Sequence, residues 1–405
     1  MTSLKDFAEA NVPVERETHP NGWEPSVTWN GTSGVLSTGP LDKEPDAAIW
    51  DVLIKDWGLN PTTTEVVDGS VQVRGWDANV GKGVIKRMFY YRASIRARGD
   101  EYDRADIESI IADVKKRKPA KTKNIELTFD GALVVTLSDW QIGKGEGGGT
   151  AATVDRIKQS VTNLTAYIKQ LSSVGRSPSA LYLIGLGDIV EGCSEFYALQ
   201  TFTVDLDRRE QKRVARHLLL WIVDTLLPLG LLIVIGGVPG NHGENRKGGK
   251  AFTSLTDNDD LAAFEELAEL LSMNPERYGN VHVPNGAIAD DLTMTLEVAG
   301  VVCGFAHGHQ IKGGGSGSQG KIESWWKGQA LGRQRVADAD ILFTGHLHHF
   351  VISESTGRTM IQSPAQDGGS QWYVGTSGQH SASGMLVVGV GTGYGSRGWG
   401  DLVLL

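Results

Sequence analysis

Leu181–Gly192 reads LYLIGLGDIVEG. An apolar run stops on Gly187-Asp188, the pattern of a buried strand that delivers one carboxylate to the loop at its C-terminal end. Four other stretches repeat it. LVVTLSDWQ (133–141) ends on Asp139 and Gln141, and LLIVIGGVPGNHGE (231–244) ends on Asn241, His242 and Glu244. VVCGFAHGH (301–309) ends on His307 and His309, and ILFTGHLHH (341–349) ends on Gly345, His346 and His348. In an α/β sheet the strand ends share one rim, and ligands sit there. A rim of carboxylate, carboxamide and imidazole groups is what a pair of borderline divalent metals needs.

Composition sets the bounds around this pattern. The chain has 405 residues, 40% of them hydrophobic, enough for a large core and two domains. The formal charge of -9 argues against a surface coated in bases for nonspecific DNA binding, while leaving room for a local basic groove. Cys193 and Cys303 are the two cysteines, so a reducing cytosol is expected rather than a disulfide framework. The opening MTSLKDFAEANVPVERE has no apolar core of a signal peptide, which also points to the cytoplasm. Leu218–Val238 is nearly apolar enough for a membrane span, but Asp224 and Pro228-Leu229-Gly230 interrupt it. It reads as a helix ending near Leu227, a turn, and the strand leading to Asn241, so no membrane partner is expected.

Residues 1–124 read as a small α+β module of unknown role. Ile49, Leu53 and Trp57 stand at helical spacing, with Asp46 as cap and Gly58 as stop. VVDGSVQVRGW (66–76) predicts a hairpin about Asp68-Gly69, and RMFYYRASIRAR (87–98) a strand. DRADIESIIADVKKRK (103–118) is a helix with acids early and bases late, merging into the basic linker KKRKPAKTKN (115–124). That linker is either a solvated tether or a phosphate contact.

Residues 125–405 form the second domain. GKGEGGGT (143–150) lacks Walker spacing and is expected to be a flexible rim loop. Val154, Ile157, Val161, Leu164 and Ile168 share one helix face. A second helix carries Arg208, Arg209, Lys212, Arg213 and Arg216, mostly on its polar side. This is either a solvated face or a cationic wall for a phosphodiester backbone, with Arg209, Lys212 and Arg213 as candidate substrate contacts. NRKGGKAFTSLTDND (245–259) is read as a substrate loop, and Trp325 and Trp326 as core packing before base stacking. The runs at 350–364 and 385–405 are expected to close a second sheet.

Taken in order, Asp139-x-Gln141, Gly187-Asp188, Gly240-Asn241-His242, His307 and Gly345-His346-x-His348 resemble the signature of the calcineurin-like metallophosphoesterases, across about the last two-thirds of the chain. The catalytic domain is also similar to metallophosphoesterases of bacteriophage genomes and, more distantly, to double-strand-break repair exonucleases. The resemblance implies a four-layer αββα sandwich after the N-terminal α+β module. It implies two divalent ions, one on Asp139, Gln141, Asp188 and His348, the other on Asp188, Asn241, His307 and His346, with Asp188 as bridge. The mixed N and O donors suit Mn²⁺ first, then Fe or Zn²⁺, with Mg²⁺ less apt. His242 takes the general-acid role, protonating the leaving oxygen. His309 is a candidate substrate contact, and Glu244 a candidate to orient His242. Two departures stand out: Gln141 replaces the family's histidine, and Gly243 separates His242 from Glu244.

The function so implied is a dinuclear phosphoesterase that cuts phosphodiesters, foremost a nuclease on DNA or RNA in a host cytoplasm if phage-encoded. A phosphatase or phosphodiesterase of small molecules or phosphoproteins is the alternative, and a non-enzymatic scaffold the third. The oligomeric state is left open.

Overall fold

The computed structural model describes residues 24–29, 33–39, 41, 47–61, 64–67, 69–79, 85–97, 107–122, 129–193, 200–247, 250–251, 253–289, 291–311, 318–369 and 381–405. The chain divides into two compact units, Met1–Asp100 and Glu101–Leu405.

In the first unit, β1 (Ser26–Trp29) pairs antiparallel with β2 (Ser33–Ser37). Then follow α1 (Ala47–Asp56), β3 (Thr64–Val66), β4 (Gln72–Asn79) and the long β5 (Ile85–Ala97). The expected helix forms and is followed by Gly58 at φ 79°. Its Trp50 and Ile54 are buried with Leu36, Tyr91, Ala93 and Ile95. The hairpin expected between 66 and 76 does not form. β3 pairs with Ala97–Ile95 of β5 and β4 pairs with Arg92–Ile85, so the two lie end to end along β5. Ser70 fills the break between them: its hydroxyl accepts from Ser94 N at 3.1 Å. Asp46 and Asp68, named as cap and turn, lie outside the described residues.

The second unit opens with α2 (Ile107–Lys116), the helix that the sequence groups with the N-terminal module. Its Ile110 and Val114 are buried in the large core of the second unit. Asn274 Nδ2 donates to the Val114 and Arg117 carbonyls, and Arg117 is paired with Asp224. The division between units therefore falls before this helix, and residues 115–118 are pinned at Arg117 rather than running as a free tether.

Two sheets then face each other. The first has six strands in the order β11-β8-β7-β6-β17-β18. These are β6 (Ala132–Leu137), β7 (Ala180–Gly185), β8 (Leu232–Gly237), β11 (Val281–His282), β17 (Leu386–Val390) and β18 (Trp399–Leu404). β11, β8, β7 and β6 are parallel; β17 pairs antiparallel with β6, and β18 pairs antiparallel with β17. The second sheet is β12 (Thr293–Val298), β13 (Val301–Ala306), β14 (Ile341–Thr344), β16 (Arg358–Gln362) and β15 (Val351–Ser355), with β13, β14 and β16 parallel. The strands 385–404 thus extend the first sheet, whereas 351–362 complete the second as expected. An apolar strand shows that it is buried on both faces, not which sheet edge it joins.

The period-two alternation explains the continuous apolar runs. Leu133, Val135 and Leu137 of β6 point into one core with α3 (Gly149–Ser173), α5 (Arg208–Leu226) and α6 (Asp259–Ser272). Ala132 and Val134 point into the other, against Phe305, Phe343 and Ile361 of the second sheet. On the far side of that sheet, Ile322 and Trp326 of α8 (Ser318–Leu331) cover Leu342 and Met360. The layers run α/β/β/α, and Trp326 is a core residue, its indole donating to Val336 O at 2.9 Å.

α5 ends at Leu226, a 3₁₀ turn covers Leu227–Leu229, and β8 follows, as the sequence implied. Among the described residues no helix is long and apolar enough to cross a membrane. GKGEGGGT is an ordered entry to α3. Thr150 N and Oγ1 both donate to the buried Asp205 carboxylate, and Gly143 N donates to Thr150 Oγ1. The short α4 (Gln200–Thr203) and α7 (Pro275–Tyr278) complete the helices named here, and β9 (Arg246–Lys247) pairs with β10 (Lys250–Ala251) in the polar loop.

Phe264 on α6 fills the space that Gly185 and Gly237 leave open. A Cβ on Gly185 would lie 2.4 Å from its ring, and one on Gly237 would lie 2.8 Å away. Phe264→Ala should therefore cost about 3–5 kcal/mol, read as a fall in the urea midpoint with unchanged slope.

Candidate metal centre

The loops after β6, β7, β8, β13 and β14 meet at one rim, and each delivers the polar residue that the sequence marked. Backbone bonds tie them: Asp139 N donates to Gly187 O (3.1 Å), Gln141 N to Asp188 O (2.9 Å) and Gly345 N to His307 O (3.0 Å). The approach is so close that side chains are excluded. A Cβ on Gly240 would lie 2.1 Å from Asp188 Oδ1, and one on Gly187 would lie 2.7 Å from Gly240. Five of the marked residues, Asp139 (φ 50°), Gln141 (45°), Asp188 (52°), His346 (70°) and His348 (58°), take left-handed backbone. Such conformations cost about 1–3 kcal/mol each and cluster at functional sites.

Among the described residues, Asp188, His307 and His346 form a three-donor group, with one donor atom from each within 4.8 Å of the others. His307 Nε2 is 2.9 Å from Asp188 Oδ2 and 3.1 Å from Asn241 Oδ1. Its Nδ1 lies 2.6 Å from Leu186 O, which takes that N–H and turns Nε2 toward the group. Burial and the neighbouring His307 push His346 down to about 4 and His309 to about 3, so both imidazoles are neutral at pH 7. Burial alone would raise the Asp188 carboxyl, yet His307 and His242 hold it well below the usual range. Asn241 Nδ2 is buried without a hydrogen-bond partner. An anionic oxygen, a carboxamide oxygen and two imidazoles fit a borderline divalent cation.

The other half of the rim is arranged differently. Asp139 Oδ1 lies 3.2 Å from His348 Nε2, and Asp139 Oδ2 accepts from Ser138 and from His346 N. Gln141 Oε1 accepts from Lys144 Nζ at 2.9 Å, and the same ammonium is paired with Asp367. Asp367 Oδ2 is 3.7 Å from His348 Nδ1. Asp367 follows β16, so a sixth strand end reaches the rim. Its only signal was the Asp of TMIQSPAQDGG, a mixed polar stretch rather than an apolar run.

His242 lies beside the three-donor group, its side chain 9% exposed, with Nε2 3.9 Å from Asp188 Oδ2 and 3.3 Å from Gln141 Nε2. Its Nδ1 lies 3.0 Å from Glu191 O and 3.2 Å from Glu191 Oε2. Glu191, three residues after Asp188, is therefore the partner of His242. Glu244 instead pairs with Arg246 and stands 3.7 Å from His309 Nε2. Burial lowers His242, but Glu191 and Asp188 outweigh it and raise the imidazole to about 10.

The cationic helix is partly neutralised. Arg208 and Lys212 are both directed at Asp259, and Arg216 is buried against Glu266 Oε2 at 2.6 Å, so it is not on a solvated face. Arg209 is exposed and Arg213 half-buried.

Sequence reasoning also missed Asp260, in the first turn of α6. Its buried carboxylate accepts the backbone N–H groups of Asp188 (2.8 Å), Ile189 (2.9 Å), Val190 (3.2 Å) and Gly240 (2.9 Å). Asp260→Asn places an amide donor against these donors. Stability should fall by about 1–3 kcal/mol, and metal affinity by about 10–100-fold. Denaturant unfolding and metal titration check the two effects separately.

No family model and no curated protein matches the chain. Among solved structures it is similar to vacuolar protein sorting 29 (Vps29) from Cryptosporidium parvum, at 15% identity over 65% of this chain and 86% of that one, TM-score 0.32. It is similar to an archaeal phosphodiesterase at 13% identity over 67% of this chain and 99% of that one, TM-score 0.30. A protein of Streptococcus pneumoniae described as a predicted phosphoesterase aligns at 12% identity over 64% and 83%, TM-score 0.26. The chain is thus similar to Vps29 and to archaeal and bacterial proteins described as phosphoesterases.

Proposed function

We propose that the protein is a metal-dependent phosphoesterase that hydrolyses phosphodiester bonds in nucleic acid. The observation that carries the chemistry is the convergence of Asp188, His307 and His346 beside His242. Asp188, Asn241, His307 and His346 would hold the ion. When bound, a divalent ion there supplies Lewis-acid stabilisation to phosphoryl oxygens and acidifies water near neutral pH.

The chain's own residues supply the rest. His242 N donates to Asp188 Oδ1 at 2.8 Å, which locks the acid and the ligand in one register. Glu191 holds Nδ1, so Nε2 is the atom that delivers a proton to the leaving oxygen. Nucleic acid is favoured by basic residues outside the centre: exposed Lys115, Lys116 and Lys118, exposed Arg209, and Lys247 and Lys250 on the two-stranded loop after His242. A panel of single- and double-stranded DNA, RNA, bis(p-nitrophenyl) phosphate and p-nitrophenyl phosphate, each with Mn²⁺, Mg²⁺, Zn²⁺ and Ni²⁺, tests the reading. Turnover of the small esters alone would remove the nucleic-acid assignment, and no turnover with any metal would remove the enzyme.

Two variants sharpen the test. His242→Ala should keep its metal and lose about 10²–10⁴-fold on poor leaving groups, but far less on p-nitrophenolate, which needs no proton. Equal losses on both would count against the general acid. Neutralising Arg209, Lys212 and Arg213 together should slow cleavage of DNA and spare the small diester. Each lost phosphate contact should reduce the salt slope by about 0.9.

A further inference from the structure

We infer that the centre is built for one divalent ion, with the Lys144 ammonium standing where a second would sit. This rests on the metal-dependent reading above and specifies its stoichiometry.

The two halves of the rim share Asp188 but differ in kind. On one side, Asp188, His307 and His346 bring three donor atoms within 4.8 Å, and Asn241 Oδ1 lies 3.1 Å from His307 Nε2. On the other side, Asp139 Oδ1 faces His348 Nε2 at 3.2 Å, but the Gln141 carboxamide oxygen is already engaged with a cation of the chain itself. Lys144 Nζ is 2.9 Å from Gln141 Oε1 and is paired with Asp367, whose Oδ2 is 3.7 Å from His348 Nδ1. The lysine side chain is 12% exposed and Asp367 is 1% exposed, so the pair is built into the wall rather than lying on the surface. A metal on Asp139, Gln141 and His348 would have to take the same carboxamide oxygen and lie against an ammonium. The imidazole that would make this position a strong metal site is absent, because residue 141 is glutamine.

The local sequence ties these facts together. Gln141 and Lys144 lie on one turn, with Lys144 N donating to Gln141 O at 2.9 Å. The residue that weakens the second metal site and the residue that occupies it are therefore placed by the same backbone.

Metal content by elemental analysis and Mn²⁺ electron paramagnetic resonance of the full chain decide the matter, without reference to turnover. The expected wild-type result is one tightly held Mn²⁺ per chain with an uncoupled six-line spectrum. Lys144→Met with Gln141→His should take up two ions and show exchange coupling between them. Two coupled ions in the wild type would overturn the inference, as would a soluble, folded double variant that stays at one. If the double variant does not fold, the wild-type stoichiometry alone decides. No bound ion in the wild type would instead remove the metal-dependent reading on which the inference rests.

Discussion

One buried carboxylate holds the centre together. Asp260 accepts four backbone N–H groups, three from the loop after β7 and one from the loop after β8. It draws those loops into a contact so close that Gly187 and Gly240 admit no side chain. Burial, and then the negative charge of Asp188, raise the Asp260 carboxyl to about 7, so the arrangement concentrates acidic groups where the solvent cannot screen them. The backbone donors make that concentration tolerable, in the same way that a helix N-terminus or a nest of amides accepts an anion.

From this constraint the positions of the candidate ligands follow. With the two loops fixed, Asp188 faces His307 and also accepts the backbone N–H of His242. The loops after β6 and β14 are then held by Gly345, where a Cβ would lie 2.5 Å from Ser138 Oγ. Left-handed backbone at five residues is stored strain, and it persists because both sheets over-determine the loops. The side chains are aimed by their neighbours in the loops: Leu186 O turns His307, and Glu191 turns His242. The same scaffold carries unlike halves, an open donor group on one side and a lysine–aspartate pair on the other.

Much of this is legible in the sequence. Each of the five apolar runs became a parallel strand, or the strand and its loop, because an unbroken apolar stretch must be covered on both faces. The residues ending those runs met at one rim because parallel strands share a direction. The face Val154, Ile157, Val161, Leu164 and Ile168 is buried as its spacing required. Helix and turn assignments across 218–238 held for the same reason: proline and glycine act through local geometry.

What the chain could not disclose is which element meets which. A run such as LVVGV states that it is buried, but only the assembled sheets placed β17 beside β6. The amphipathic α2 announced an apolar face without naming its partner, and the α5–α6 packing, not its own pattern, buried Arg216 against Glu266. Asp260, Asp367 and Lys144 looked like ordinary helix-cap and loop residues, since their significance lies in contacts 72, 223 and 223 residues away along the chain. Local order, strand identity and the side-chain types at the strand ends are determined by sequence, because they depend on neighbours within a few residues. The partner of each buried charge is decided only in the tertiary structure, because that is where distance and exclusion of water set its energy.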